Sequence, residues 1–216
     1  MLNNLRFKLI LFYLIWYSEL YKTYKLMQLI ILGPPGAGKG TQSLLIARKL
    51  RLIHLSTGEI LRKAVEQRTD LGLRAKEVME KGGLVTDDIM IGLVRDTLSS
   101  PGMDKGFILD GFPRTLTQAI ALDKILADLN FNDVRVLNIV SEPEELIKRL
   151  KLRGRKDDTI ETIKHRLAVY QNETAPITEY YAKKRRVYNI NGTGDIEEIN
   201  RNIISILSGS AVKTLE

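Results

Sequence analysis

The sequence predicts an α/β protein with three layers, α/β/α, built on a five-stranded parallel sheet. Three observations point there. Short apolar runs alternate with helical patterns from Met27 onward, the strand-like runs stay apolar instead of alternating, and a glycine-rich turn joins the first strand to the first helix. Strands separated by helices imply right-handed crossovers and a sheet covered on both faces. An uninterrupted apolar strand such as Leu29 to Leu32 fits a central position, buried on each side. With 216 residues, 44% of them hydrophobic, the chain can bury a sizeable core in one domain.

Five runs read as strands: Gln28 to Leu32, Leu52 to Leu55, Gly106 to Leu109, Val134 to Val140 and Val187 to Ile190. Helical patterns lie between and after them, at about Gly38 to Leu50, Leu116 to Leu129, Glu144 to Leu152, Ile160 to Tyr181 and Ile196 to Leu207. The stretch from Thr57 to Ser100 departs from simple alternation, because it holds several helical patterns and no strand where one crossover helix would suffice. It reads as an insertion. Ser56 or Thr57 can cap a helix beginning near Gly58, with Glu59 in its first turn where the helix dipole favours an acid. Gly82 and Gly83 end the next helix, and Asp87 and Asp88 open another.

Charge narrows the function classes only a little. The 33 basic and 26 acidic residues leave a net +7, which suits nucleic acid, a membrane surface or a phosphorylated small molecule. Lys and Arg are scattered, however, and aromatics are only 6%, so a nucleic-acid partner is not expected. Without cysteine the chain has neither disulfides nor a thiolate metal site, which fits a reducing, cytoplasmic compartment. Residues 1–26 differ from the rest. Leu9 to Tyr17 is a run of nine apolar residues, short of the roughly 20 that span a bilayer. No A-x-A cleavage site follows. Stable membrane insertion is therefore not expected, and residues 1–26 read as a disordered extension or as sequence upstream of a start at Met27. The domain is placed at 27–208, with a tail at 209–216.

The chemistry begins at Gly33-Pro34-Pro35-Gly36-Ala37-Gly38-Lys39-Gly40-Thr41, between a buried strand and an amphipathic helix. That context is the one a P-loop needs: glycines let backbone N–H groups turn toward phosphate, the helix N-terminus adds partial positive charge, and Lys39 reaches the outer phosphates. The fold class is thus a P-loop NTPase. Here Gly40 separates Lys39 from Thr41, where the general pattern puts Ser or Thr directly after the Lys.

That spacing, followed in order by Ser56-Thr57-Gly58-Glu59-Ile60-Leu61-Arg62 and Asp110-Gly111-Phe112-Pro113-Arg114, resembles the adenylate kinases among nucleoside monophosphate kinases. The resemblance covers residues 27 to about 208. It implies an enzyme that transfers phosphoryl between ATP and AMP to give ADP, with a helical insertion at 56–85 binding the monophosphate and a very short lid at 153–159. No stretch resembles a dedicated interface stripe, so a monomer is expected. Longer relatives insert a larger lid where only Gly154 separates Arg153 from Arg155. With no cysteine, a lid zinc is not expected. Magnesium is expected with ATP, organised by Thr41 and by Asp110 at the carboxyl end of the third strand, largely through water.

Phosphoryl transfer gathers negative charge and needs cations from several directions. Arg62, Arg114, Arg149, Arg153, Arg155 and Arg166 match the family's phosphate-contacting arginines, although Arg149 or Arg166 read alone would be surface residues. The resemblance further implies ATP on Gly36, Ala37, Gly38, Lys39, Gly40, Thr41, Arg149, Arg153 and the Gly194 backbone. It places AMP on Thr57, Arg62, Gly83, Leu84, Val85, Gly111, Phe112, Pro113, Arg114, Gln118, Arg155 and Arg166. Lys39, Arg114, Arg149, Arg155 and Arg166 would act on the migrating group. In Lys156-Asp157-Asp158 an acid, taken as Asp157, would orient an arginine, although both acids also suit a helix start. Thr57 and Gln118 favour AMP over the UMP and CMP used by relatives, because a glutamine amide donates and accepts together, as the adenine edge requires. His54, His165 and the Tyr180-Tyr181 pair read as structural.

Overall fold

The computed structural model describes residues 27–155, 158–184 and 186–209. The extension at 1–26 and the tail beyond Gly209 lie outside them. Five strands form one parallel sheet: β1 (Gln28–Leu32), β2 (Ile53–Ser56), β3 (Phe107–Asp110), β4 (Val134–Val140) and β5 (Val187–Asn191), in the order β2-β3-β1-β4-β5. β1 is therefore central, and all five of its residues are buried.

The pleat sends alternate residues of these strands into two separate cores. Ile30, Leu32, Phe107, Leu109, Val134 and Val136 face one. Leu29, Ile31, Ile108, Leu137, Ile139 and Ile190 face the other. Helix α1 (Lys39–Leu50) and the last helix, α9 (Ile196–Leu207), cover the second face through Ile46, Ala47, Leu50, Ile199, Ile203 and Leu207. The first face takes α5 (Leu116–Asp128) through Ala119, Leu122, Ile125 and Leu126.

Between β2 and β3 stand α2 (Thr57–Glu66), α3 (Asp70–Glu80) and α4 (Asp87–Leu98), with no intervening strand. Ser56 is the cap of α2, its hydroxyl accepting from the Glu59 N–H. Thr69 caps α3 in the same way, accepting from Gly72 N–H. Gly82, at φ 76°, turns the chain out of α3 toward Leu84 and Val85.

One expected helix is broken. The pattern from Ile160 to Tyr181 predicts a continuous helix, but the structure has α7 (Ile160–Val169), a π-helical stretch at Tyr170–Thr174 and α8 (Ala175–Ala182). Pro176 supplies the reason, since it has no N–H to continue the ladder and its ring collides with the carbonyl four residues back. Helix α6 (Pro143–Arg153) tolerates its proline because that residue is first, where the N–H would lack a partner anyway.

Candidate active site: a phosphate-binding cleft

β1 ends directly in the glycine-rich turn, where Gly33, Gly36 and Gly38 all have positive φ and Ala37 N–H closes on the Pro34 carbonyl at 3.2 Å. Gly38 then stands as the N-cap of α1, without a side chain to satisfy the first amides. Those amides and the helix dipole remain directed at the opening. Behind the loop, Gln42 bonds the Ile196 carbonyl and the Asn200 amide, tying α1 to α9.

The opening belongs to a cleft of about 810 Å³. One wall carries Gly36, Ala37, Gly38, Lys39, Gly40, Thr41 and Gly194; the opposite wall carries Thr57, Arg62, Gly83, Leu84, Val85, Gly111, Pro113 and Gln118. Asp110, Arg114, Arg149, Arg153, Arg155 and Arg166 also line it. All six arginines singled out by sequence thus reach one cavity, although they come from three helices, the lid turn and the β3–α5 turn. Phe112 does not line it: its side chain is wholly buried in the core, leaving the turn around it to shape the wall. Asp157 lies outside the described residues.

Lys39 Nζ donates to the Gly33 carbonyl at 2.7 Å and the Pro34 carbonyl at 2.9 Å. Desolvation, only partly opposed by Asp110 and reinforced by Arg114 and Arg153, lowers its ammonium from 10.5 to about 8. Asp110 ends β3, and its carboxylate approaches the first turn of α1: a Cβ on Gly40 would meet Oδ2 at 3.5 Å, an ordinary contact distance. Burial works to raise the Asp110 carboxyl, but neighbouring His54, Lys39 and Arg114 outweigh it and hold it below the usual range. His54 Nε2 stands 3.8 Å from Oδ2, beyond hydrogen-bond distance. Gly111 has φ 87°, and a Cβ on it would stand 2.7 Å from Thr57 Oγ1, which in turn donates to the Asp110 carbonyl at 3.3 Å.

Three acids that hold arginines or the Gln118 amide were not singled out in sequence. Asp158 accepts from Arg153 Nη2 at 2.6 Å, from Arg166 Nη1 at 3.0 Å and from the Arg155 N–H at 3.1 Å. Sequence reading expected such a role of the neighbouring Asp157, which lies outside the described residues. Glu145 accepts from Arg149 Nε at 2.7 Å while Arg149 Nη1 donates to the Gly192 carbonyl at 2.9 Å. The four-residue spacing of Glu145 and Arg149 on a helix was the available signal. Asp87 accepts from Gln118 Nε2 and from Thr115, contacts that span about thirty residues and leave no local pattern. Among the described residues no group of three or more His, Asp or Glu could hold a metal by itself, and no helix is long and apolar enough to cross a membrane.

A glycine-rich phosphate cradle at the carboxyl edge of a parallel sheet, facing an arginine-lined helical insertion, defines a P-loop phosphotransferase. The family model described as adenylate kinase matches residues 31–186. Curated relatives agree. The adenylate kinase of Archaeoglobus fulgidus is 42% identical over 84% of this chain and 98% of its own length. That of Carboxydothermus hydrogenoformans is 43% identical over 84% and 99%, and that of Azorhizobium caulinodans 45% over 84% and 98%. The chain belongs to the adenylate kinase family. It is an ATP:AMP phosphotransferase, interconverting ATP plus AMP with two ADP.

Proposed function

We propose that donor and acceptor share this one cleft, with Mg-ATP on the P-loop wall and AMP against the 56–85 insertion. The observation that carries this reading is the continuity of the cavity from Gly36–Thr41 to Gly83, Leu84 and Val85. Backbone amides of Gly36 to Thr41 cradle the ATP phosphates, Arg149 and Arg153 clamp them, and the Gly194 backbone borders the base. AMP takes Thr57, Arg62, the Gly83–Val85 backbone, the Gly111–Arg114 turn and Gln118, with Arg155 and Arg166 reaching the phosphates from the other side.

The residues also fit a magnesium ion. The Thr41 hydroxyl and the Asp110 carboxylate are oxygen donors near the first turn of α1, the kind a hard cation takes, with water and ATP oxygens completing its shell. The ion would neutralise phosphate charge. Arg114, Arg149, Arg155, Arg166 and Lys39 hold the two phosphates in line and stabilise charge on the migrating group, and no general base is required. Lys39 must leave the Gly33 and Pro34 carbonyls to do so. Closure of the insertion and of the 153–159 lid excludes water that would otherwise hydrolyse ATP. Both walls belong to one chain, which supports a monomeric enzyme.

Equilibrium binding of a dinucleotide with two adenosines joined through a polyphosphate tests the shared cleft. Binding much tighter than that of ATP is expected. Affinity equal to that of ATP would put the acceptor elsewhere.

A further inference from the structure

Gln118 is held between two partners of opposite polarity. Its Oε1 accepts from the Arg114 backbone N–H at 2.8 Å, and its Nε2 donates to Asp87 Oδ1 at 2.8 Å. Neither partner can change sign, because a backbone N–H only donates and a carboxylate only accepts. Chemistry therefore fixes which end of the amide faces which way. Asp87 is fixed in turn: it opens α4, and the Thr115 hydroxyl donates to both carboxylate oxygens at 3.0 Å. Thr115 itself accepts the Gln118 N–H at 3.2 Å as the cap of α5.

Gln118 is 2% exposed and lines the cleft, whereas Asp87 does not line it. The second Nε2 hydrogen and the second Oε1 lone pair are what the amide can offer a ligand. They form a donor and an acceptor side by side in an order that Asp87 and the Arg114 N–H dictate.

We propose that Asp87 is a specificity-determining positioning residue, which locks the Gln118 amide in the one orientation that pairs with a 6-aminopurine monophosphate and not with a 6-oxopurine monophosphate. This rests on the reading that Gln118 faces the acceptor base. The adenine edge presents an accepting ring nitrogen beside a donating amino group. A 6-oxopurine presents the reverse, a donating ring N–H beside an accepting oxygen. Turning the amide over to suit the oxopurine would set its NH2 against the Arg114 N–H and its oxygen against the Asp87 carboxylate. Both existing hydrogen bonds would be lost and two repulsive contacts would replace them. Without the carboxylate only the Arg114 N–H resists the turn.

The test is the ratio of kcat/KM for AMP to that for IMP, at fixed Mg-ATP, in the unaltered chain and in Asp87→Asn, Asp87→Leu and Gln118→Ala. Asn matches Asp in shape but can present either oxygen or NH2 to Gln118, and Leu presents neither. Both should lower the ratio by about tenfold or more, the size of one charge-assisted hydrogen bond, with KM for ATP unchanged. A merely structural role would depress both acceptors alike and leave the ratio where it was. If Asp87→Leu fails to fold, Asp87→Asn carries the test. An unchanged ratio in folded Asp87→Asn, while Gln118→Ala loses AMP use, overturns the role of Asp87 and leaves the base-reading role of Gln118 standing. If Gln118→Ala alters neither acceptor, both fall together.

Discussion

The Lys39 ammonium donates to the Gly33 carbonyl at 2.7 Å, within the loop to which it belongs. The cation proposed to meet phosphate is thus parked on its own P-loop, partly desolvated and near Arg114 and Arg153. Lys39→Met should lower turnover by about 10²–10³-fold or more, the scale seen when one preorganised donor is removed from a developing charge. The same change should raise stability at pH 7, because burial disfavours the ammonium by more than Asp110 favours it. The folded value, about 8, lies below 10.5, so between these limits the unfolded chain binds more protons and stability rises with pH. Melting curves across that window should show the rise in the unaltered chain and its absence in Lys39→Met.

Asp158 gathers the lid-side arginines. Burial acts to raise its carboxyl, but the hydrogen bond and charge of Arg153, the Arg155 N–H and the charge of Arg166 hold it below the usual range. Its contribution to stability is therefore present above the ordinary carboxylate value of about 3.9 and disappears as pH falls through the depressed folded value. Asp158→Asn should melt earlier than the unaltered chain at pH 7 and converge with it in acid. Turnover should drop by about 10–100-fold, because the arginines lose their shared anchor and small misplacements are costly. Steady-state kinetics beside a pH series of melts checks both parts.

Asp110→Asn should raise the magnesium concentration needed for half-maximal turnover while leaving the melting temperature within a few degrees. The carboxylate lies beside the first turn of α1, and its replacement keeps the shape but removes the charge. A magnesium titration at fixed ATP reads the effect. An unchanged titration curve would remove Asp110 from the metal's surroundings.

Gly72 packs α3 against α2 so closely that a Cβ would stand 2.0 Å from the Ala64 carbonyl oxygen. Gly72→Ala must separate the two helices and should cost about 1–3 kcal/mol, the range for overpacking. Because the P-loop lies elsewhere, KM for AMP should rise more than KM for ATP. Hydrogen exchange should quicken within 57–80 and not in α1.

Much of this was legible in the sequence, and the reasons are local. β1 is an unbroken apolar run, and buried parallel strands have that pattern; the glycine-rich loop sits between a strand and a helix, where only a few conformations are open to it. Motif spacing carried the arginines, none of which would have been selected singly. What was missed depends on contacts between distant segments or on one-residue choices. Asp157 and Asp158 are indistinguishable as helix-start acids, and only the structure shows Asp158 beneath Arg153 and Arg166. Phe112 belongs to a binding-turn motif, yet its side chain turns inward to the core. The amphipathic pattern runs through Tyr170–Thr174 although the backbone there widens ahead of Pro176. Thr174, in that widened turn, donates to the Arg114 carbonyl at 2.8 Å across sixty positions of sequence, a link that no periodicity encodes.

The most direct measurement of the central claim is the stoichiometry of nucleotide turnover with ATP, AMP and magnesium, followed by chromatographic separation of the products. One ATP and one AMP should disappear for every two ADP formed, without free phosphate. Consumption of ATP to one ADP and one phosphate, with AMP untouched, would contradict the account.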